Sequence, residues 1–90
     1  MTDAAYRRST DASISEVGDR LVLYHRRSRA AVVLNPTGSR IWERLDTPRT
    51  IADLSGDLCR RFPALSADEA ARDVSAFLEE LTRHDMVAIG

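Results

Sequence analysis

Apolar and polar positions divide this chain into a strand-forming half and a helix-forming half. Ile14 and Val17 flank a short candidate strand, residues 20–26 form a β-branched and aromatic run, and residues 30–34 form an apolar run; the links between them are short and polar. Runs of this length with such links predict a three-stranded antiparallel meander. From Asn35 onward the apolar residues recur every three or four positions, which predicts helices. We therefore expect an α+β fold in which the meander is followed by three helices.

Each predicted helix begins at a recognisable capping sequence. The three starts are Asn35-Pro36, residues 50–53 and residues 66–69. The first joins a strong N-cap residue to a proline at the first helical position, and the other two are capping boxes. Pro63 ends the second helix, so the last two helices form a helix, turn and helix. This order predicts a winged helix-turn-helix-like fold.

The two ends of the chain carry weaker patterns. Residues 1–11 are polar and lack periodicity, so we expect a flexible N-terminal arm, with order beginning near Ser13. The short apolar tail at residues 86–89 is expected to pack back or to add a strand. With 90 residues and 43% hydrophobic content, residues 12–90 form a single domain with one modest core.

Charge and composition restrict the function classes. Thirteen arginines, without any lysine, face fourteen acids, and the net charge of −1 gives no strong positive field. The third helix would also turn Asp68, Glu69 and Asp73 toward phosphates, which disfavours the alternative of a small DNA-binding regulator. One cysteine excludes an internal disulfide, and the longest apolar runs are too short for a membrane span. We expect a soluble cytoplasmic protein that binds neither nucleic acid nor membrane.

Residues that could support catalysis are few. We interpret His25 as a half-exposed strand residue, His84 as a partner of a helix dipole and Cys59 as a small, partly buried thiol. Neither histidine has the spacing of a metal ligand or a general base. The sequence therefore predicts no catalytic residue, no metal site and no cofactor.

Two surface features leave alternatives open. The arginines at positions 26, 27 and 29 form the densest basic cluster, which is either a solvated hairpin turn or a docking patch for an acidic segment of a partner; Arg72 is a further possible docking residue. The third strand, residues 30–34, is an edge strand without proline or charge. Either a visiting peptide pairs with it, or the tail, the arm or a second copy covers it.

The order of these motifs resembles the PqqD-like family, also called RiPP recognition elements. The resemblance runs from about residue 14 to residue 87. It rests on the meander, on the motifs at residues 34–38, 41–45 and 50–54, and on the pattern Asp73-Val74, Phe77-Leu78 and Leu81. Members are small winged-helix-like chaperones that bind the leader segment of a ribosomally made precursor peptide and present its core to a modifying enzyme.

The resemblance implies that a leader peptide adds as a strand along the third strand, against the third helix. The residues implied in peptide binding are Ala30, Ala31, Val32, Val33, Leu34, Ala70, Asp73, Val74, Phe77 and Leu81. Three of these, Val74, Phe77 and Leu81, are expected to be shared between core and groove. The small pair at positions 30 and 31 departs from relatives that carry larger side chains, which alters the first pocket.

The expected function is a non-catalytic peptide chaperone in lasso-peptide or PQQ-type biosynthesis. No enzyme domain is fused to the chain, so the modifying enzyme, such as a peptidase or a radical enzyme, would be a separate protein. We expect a monomer or a weak dimer. A third alternative is a plain interaction subunit whose edge strand pairs with a second copy.

Overall fold

The structure is a computed structural model that describes residues 4–89. Its elements in chain order are β1 (Ala5–Arg8), β2 (Ala12–Val17), β3 (Arg20–His25), β4 (Ala31–Leu34), α1 (Pro36–Arg44), β5 (Arg49–Thr50), α2 (Ile51–Arg61), α3 (Ala67–Arg83) and β6 (Val87–Ile89). The predicted α+β class and the three helices are confirmed. Residues 1–3 of the predicted arm and Gly90 lie outside the described part of the chain.

The predicted meander is the antiparallel sheet β2-β3-β4. The turn between β2 and β3 contains Gly18, whose φ of 65° lies in the left-handed region that glycine adopts at low cost. Along β3 and β4 the register pairs Leu21 with Leu34 and Leu23 with Val32, so these apolar side chains share the inner face. The third strand, predicted for residues 30–34, begins one residue later, at Ala31.

A second sheet, with the order β5-β1-β6, corrects the description of the N-terminal region. The polar pattern of residues 1–11 predicts a flexible arm, with order beginning near Ser13, whereas residues 5–8 form β1. Tyr6 pairs with Arg49 of β5 on one side and with Ile89 of β6 on the other. These partners are distant in sequence, so the local pattern does not reveal the strand. The tail adds a strand, which is one of the two predicted arrangements.

The three predicted helix starts are confirmed by their hydrogen bonds. The Oδ1 atom of Asn35 accepts from the main-chain N–H of Gly38 at 2.7 Å, and Pro36 occupies the first turn. The capping boxes at residues 50–53 and 66–69 are both complete. Each cap satisfies donors that a helix start otherwise leaves without partners.

The core joins both strands of the β3–β4 pair to the three helices and β6. Its fully buried large side chains are Leu23, Ile41, Leu45, Leu54, Leu58, Val74, Leu78, Leu81 and Met86. Burial of each such side chain contributes about 1.5–3 kcal/mol. One ion-pair cluster lies at the edge of this core, where Arg40 of α1 donates to both carboxylate oxygens of Asp57 in α2, at 2.8 and 3.0 Å.

Candidate functional site

The outer side of β4 is an open row of main-chain groups. Among residues 4–89 no strand pairs with this side of β4. The N–H of His25 donates to the carbonyl oxygen of Ala30 at 3.0 Å, which fixes which residues of the hairpin face inward. Bonding directions alternate along an antiparallel pair, so the main chain of Val32 faces β3, while the N–H and C=O groups of Ala31 and Val33 face the open side. Two residues therefore present four groups that can pair with an added strand.

The arm and the tail, which were alternatives for covering this row, lie in the other sheet. β1 and β6 pair with each other over three residue pairs, from Tyr6 with Ile89 to Arg8 with Val87. Neither strand pairs with β4. The alternative in which the chain covers its own third strand is therefore wrong for the described residues.

The side chains of β4 alternate between the core and the surface. Val32 and Leu34 are 7% and 6% exposed and belong to the core. Ala31 is exposed, and Val33 is 56% exposed on the outer face. Ala30 is half-buried and packs against the core. β4 thus anchors itself through two side chains and leaves its main chain and Val33 accessible.

A cavity of about 340 Å³ begins where β4 ends, between the first turn of α1 and one face of α3. It is lined by Asn35, Thr37, Gly38, Ile41, Asp73, Ala76, Phe77, Glu80 and Arg83. A Cβ atom at Gly38 would lie 3.2 Å from Cε1 of Phe77 and 3.1 Å from Oδ1 of Asn35. Glycine at this position therefore lets the aromatic ring approach the α1 backbone closely. Because only Asn35 separates β4 from α1, the cavity begins one residue beyond the C-terminal end of the open row.

The cavity carries more negative than positive charge. Asp73 and Arg83 are exposed and Glu80 is half-buried, which gives two carboxylates against one guanidinium. Within residues 4–89 none of these three side chains takes part in an ion pair. Asp73 and Glu80 are seven residues apart on α3, about 10 Å along the helix axis, so they flank the cavity on one face. The arrangement can accept hydrogen bonds from main-chain or basic donors of a ligand.

The residues of α3 implied in peptide binding divide into two groups. Ala70, Val74 and Leu81 are fully buried, so their side chains form the core beneath the site. Asp73 and Phe77 line the cavity, and Phe77 also packs against the core. Of the α3 residues implied in peptide binding, Asp73 and Phe77 therefore line the cavity, while packing in the core takes up most of the apolar stripe of α3.

Several cavity-lining residues were absent from the sequence-based set. They are Asn35, Thr37, Gly38, Ile41, Ala76, Glu80 and Arg83. One signal was available, because a glycine within a helix costs about 1 kcal/mol relative to alanine and often marks a close approach of backbone to another group. For the others, only the three-dimensional arrangement of α1 and α3 identifies the position.

The basic cluster lies at the opposite end of β4, in the turn between β3 and β4. We call residues 26–29 the hairpin tip. Arg26, Arg27 and Arg29 are all exposed, and Arg27 is 3.6 Å from a carboxylate oxygen of Asp11. Arg72, in contrast, is exposed on α3 and does not line the cavity.

His25 is buried beneath the hairpin tip, so its interpretation as a half-exposed strand residue is wrong. The sequence suggested a half-exposed residue, but His25 is 5% exposed. Its Nδ1 atom accepts hydrogen bonds from the main-chain N–H groups of Arg27 and Ser28, at 3.2 and 3.3 Å. Hydrogen bonds from the turn therefore offset the desolvation cost of burying the polar ring.

The other residues considered for catalysis, His84 and Cys59, lie at the end of one helix and within another. His84 is the C-cap residue of α3, and Cys59 is half-buried in α2. Within residues 4–89 no three His, Cys, Asp or Glu side chains are grouped so that they could hold a metal ion. None of the helices in this part of the chain combines the length and apolarity needed to cross a membrane.

Comparison with known proteins gives a family match over most of the chain. The family model described as "Coenzyme PQQ synthesis protein D (PqqD)" matches residues 20–87. This span contains both the open side of β4 and the whole cavity. Among curated proteins, none matches the chain significantly.

Two solved structures share the fold over nearly their whole length. The first, "TbiB1 in Complex with the TbiA(beta) Leader Peptide", has 22% identity and a TM-score of 0.77, with 90% of this chain and 93% of that chain covered. The second, "Lasso peptide synthetase B1 complexed with the leader peptide", has 25% identity and a TM-score of 0.78, with 92% and 96% covered.

Proposed function

The chain belongs to the PqqD family, and from this premise we propose that it is a non-catalytic chaperone for a ribosomally made precursor peptide. The leader segment of the precursor adds as a strand along β4, with side chains entering the cavity between α1 and α3. The single observation that carries the proposal is the open main-chain row of Ala31 and Val33 next to that cavity.

Both similar structures support this assignment, because each is a complex with a leader peptide and each is covered almost completely by this fold. One of them is a lasso peptide synthetase B1, so we propose lasso-peptide maturation first and PQQ-type cofactor biosynthesis second. We propose that a separate modifying enzyme, such as a peptidase or a radical enzyme, receives the presented precursor. Because the precursor is made on ribosomes, we place the encounter in the cytoplasm.

Each proposed binding residue has one of three roles. The main chain of residues 30–34 forms the pairing edge, with Ala31 and Val33 supplying the open groups. Asp73 and Phe77 contact the peptide from α3. Ala70, Val74 and Leu81 act from the core, where they hold α3 in place beneath the groove. This division keeps the groove rigid while only a few side chains determine which leader fits.

The energetics of strand addition require a side-chain anchor. Four main-chain hydrogen bonds contribute about 0.5–1.5 kcal/mol each, and ordering a disordered leader costs about 2–5 kcal/mol. Main-chain pairing alone therefore roughly cancels the ordering cost. Burial of two or three apolar peptide side chains adds about 1.5–3 kcal/mol each. We expect an affinity near micromolar, about −8 kcal/mol, which suits capture followed by release.

The test is a titration of the chain with fluorescent synthetic leader peptides of candidate precursors encoded near its own gene. Val33→Pro removes an outward N–H without breaking the β3–β4 ladder, and proline is tolerated on an open edge. We expect this variant to weaken binding at least tenfold, while Val33→Thr, which keeps the N–H, stays close to the parent. Circular dichroism checks that both variants are folded.

A second arm of the experiment leaves the protein unchanged. The same leader peptide is synthesised with a single N-methyl group at successive positions, each of which removes one N–H donor. Pairing with β4 predicts an alternating pattern, in which every second methylation weakens binding. Equal effects at all positions, or binding that ignores Val33→Pro, would overturn the proposal. Duplex DNA at low salt serves as the control ligand and should not bind.

A further inference from the structure

The hairpin tip is an arginine cluster with little internal neutralisation. Arg26, Arg27 and Arg29 are exposed, and within residues 4–89 their one ion pair joins Arg27 to Asp11. The contact is loose, because the two side chains are 82% and 37% exposed and the atoms are 3.6 Å apart. Asp85 lines the same surface depression as Asp11 and Arg27, so three positive charges lie near two negative charges, although the chain as a whole has a net charge of −1.

The tip holds these arginines in a defined backbone rather than in a loose loop. The ring of His25 accepts two main-chain N–H groups of the turn, and the carbonyl of His25 accepts the N–H of Arg29 at 2.9 Å. The main-chain N–H of Arg26 donates to the carbonyl of Asp11 at 2.9 Å. The turn is therefore fixed by His25, the last residue of β3, and by Asp11, the residue before β2.

Arg29 occupies a backbone conformation that favours other residues. Its φ of 63° is left-handed, where glycine or asparagine has a lower steric cost than a long side chain. A solvated turn with no further role gains nothing from arginine at this position. The charge is instead positioned at the residue that comes two before β4 begins at Ala31.

A peptide strand that pairs with β4 continues past the hairpin tip. β2, β3 and β4 are all antiparallel to their neighbours, and sheets of a single kind are favoured, so a peptide on the open side of β4 runs antiparallel to it. Such a peptide enters near the cavity, pairs with Val33 and then Ala31, and continues past residues 26–29. The residues that follow its paired stretch consequently meet the arginines.

We propose that the hairpin tip binds acidic residues of the precursor peptide that lie immediately C-terminal to the stretch paired with β4. This inference rests on the proposed function and adds a charge requirement and a direction to it. The tip then acts as an electrostatic clamp at the exit of the groove, next to the segment that is handed to the enzyme.

The experiment uses the synthetic leader peptide of the titration above in three matched forms. One carries a run of glutamates directly after the paired stretch, the second carries glutamines there, and the third carries the glutamates before the paired stretch. At low salt we expect the first form to bind roughly tenfold more tightly than the other two. At about 1 M salt, where the Debye length is about 3 Å, the difference should nearly vanish.

The variant Arg26→Gln/Arg27→Gln/Arg29→Asn removes the cluster, and asparagine suits the left-handed position. It should bring the first form down to the affinity of the glutamine form. The matched control Arg7→Gln/Arg20→Gln/Arg61→Gln removes three exposed arginines elsewhere, so it changes the net charge equally and should retain most of the preference.

The outcomes separate this inference from the proposed function. If Val33→Pro abolishes binding of all three peptides but glutamates and glutamines bind alike, strand addition stands and the clamp is refuted. A preference for glutamates before the paired stretch, or equal losses in both triple variants, also refutes it. If Val33→Pro leaves the affinity for all three peptides unchanged, the proposed function is refuted, and so is the clamp.

Discussion

The guanidinium of Arg8 caps the end of α1, with its Nη2 atom 2.6 Å from the carbonyl oxygen of Trp42. Its Nε atom also donates to this oxygen at 3.1 Å, and its Cζ atom lies 4.9 Å from the centre of the Trp42 ring. The last carbonyls of a helix lack partners within the helix, and a cation complements the negative end of the helix dipole. One arginine of β1 thus ties the N-terminal strand to the first helix.

Replacement of Arg8 by alanine should therefore destabilise the fold. Charge-assisted hydrogen bonds and a cation–π contact together predict a loss of about 1.5–3 kcal/mol in the free energy of unfolding. Urea titration measures the loss. Arg7→Ala, on the exposed neighbouring position of β1, is the control and should change stability by less than about 0.5 kcal/mol. Equal effects of the two substitutions would contradict the cap.

The ion pair between α1 and α2 predicts a specific acid sensitivity. Hydrogen bonds from Arg40, with the nearby charges of Arg40, Arg44 and Arg60, lower the pKa of Asp57 below its ordinary value. A carboxyl whose folded pKa is lowered contributes stability above its unfolded pKa of about 3.9, and this contribution disappears as the pH falls through the folded pKa. The contribution is therefore complete at neutral pH and lost in acid.

Asp57→Asn should expose this dependence. At neutral pH we expect the variant to be less stable by about 1–3 kcal/mol, because the pair is largely buried and its arginine loses a charged acceptor. As the pH falls below the ordinary carboxyl pKa of about 3.9 and through the lowered pKa of folded Asp57, the difference between parent and variant should shrink, since the parent carboxyl then protonates. Urea midpoints at several pH values measure the difference. A constant difference over the whole range would contradict the assignment to Asp57.

The capping box of α3 predicts a moderate loss on Ser66→Ala. The Oγ atom of Ser66 accepts from the N–H of Glu69 at 3.1 Å, and the carboxylate of Glu69 accepts from the N–H of Ser66 at 3.2 Å. Removal of the hydroxyl should cost about 1 kcal/mol, or about 4–8 °C in the thermal midpoint. Ser75→Ala, in the middle of the same helix, should be neutral or slightly stabilising. Calorimetry compares the two variants.

The contact between Gly38 and Phe77 predicts a change in binding that exceeds the change in stability. Alanine at position 38 has a helix propensity about 1 kcal/mol more favourable than that of glycine. Its Cβ atom, however, would lie 3.2 Å from Cε1 of Phe77. We expect stability to change by less than about 1 kcal/mol, because the ring can move into the open cavity. The same movement narrows the cavity, so affinity for the leader peptide should fall several-fold.

A double-mutant cycle tests this explanation. In a Phe77→Ala background no ring is present to be displaced, so adding Gly38→Ala should leave the affinity for the leader peptide unchanged. The comparison between Phe77→Ala and the double variant isolates the coupling between the two positions. Additive losses in affinity would indicate that alanine at position 38 acts through the Asn35 cap instead.

Local signals in the sequence accounted for the helices and the meander. The caps at Asn35, Thr50 and Ser66 depend on residues within three positions of each other, so the pattern contains all that is needed. β1 and β5 were missed because they are short and are held by partners far along the chain. Their stability comes from long-range pairing, which hydrophobic periodicity does not record.

The candidate site was predictable in part for the same reason. An edge position for β4 follows from strand order alone, and the structure has it. The cavity depends on how α1 crosses α3, so residues such as Thr37 and Glu80 had no local signal. For His25 a signal existed, because it alternates with Leu21 and Leu23 on the inner face of β3. Its polar ring obscured that alternation, since the turn donors that permit its burial become visible only in three dimensions.

The direct passage from β4 through Asn35 into α1 has a consequence for how this module diversifies. A loop between the pairing edge and the cavity would allow insertions to retune the spacing between them, as loops elsewhere in proteins do. Here the single N-cap residue Asn35 forms that junction, so there is no loop in which an insertion could change the spacing. A change in peptide selectivity should then come from exchange of individual side chains on the same β4–Asn35–α1 backbone.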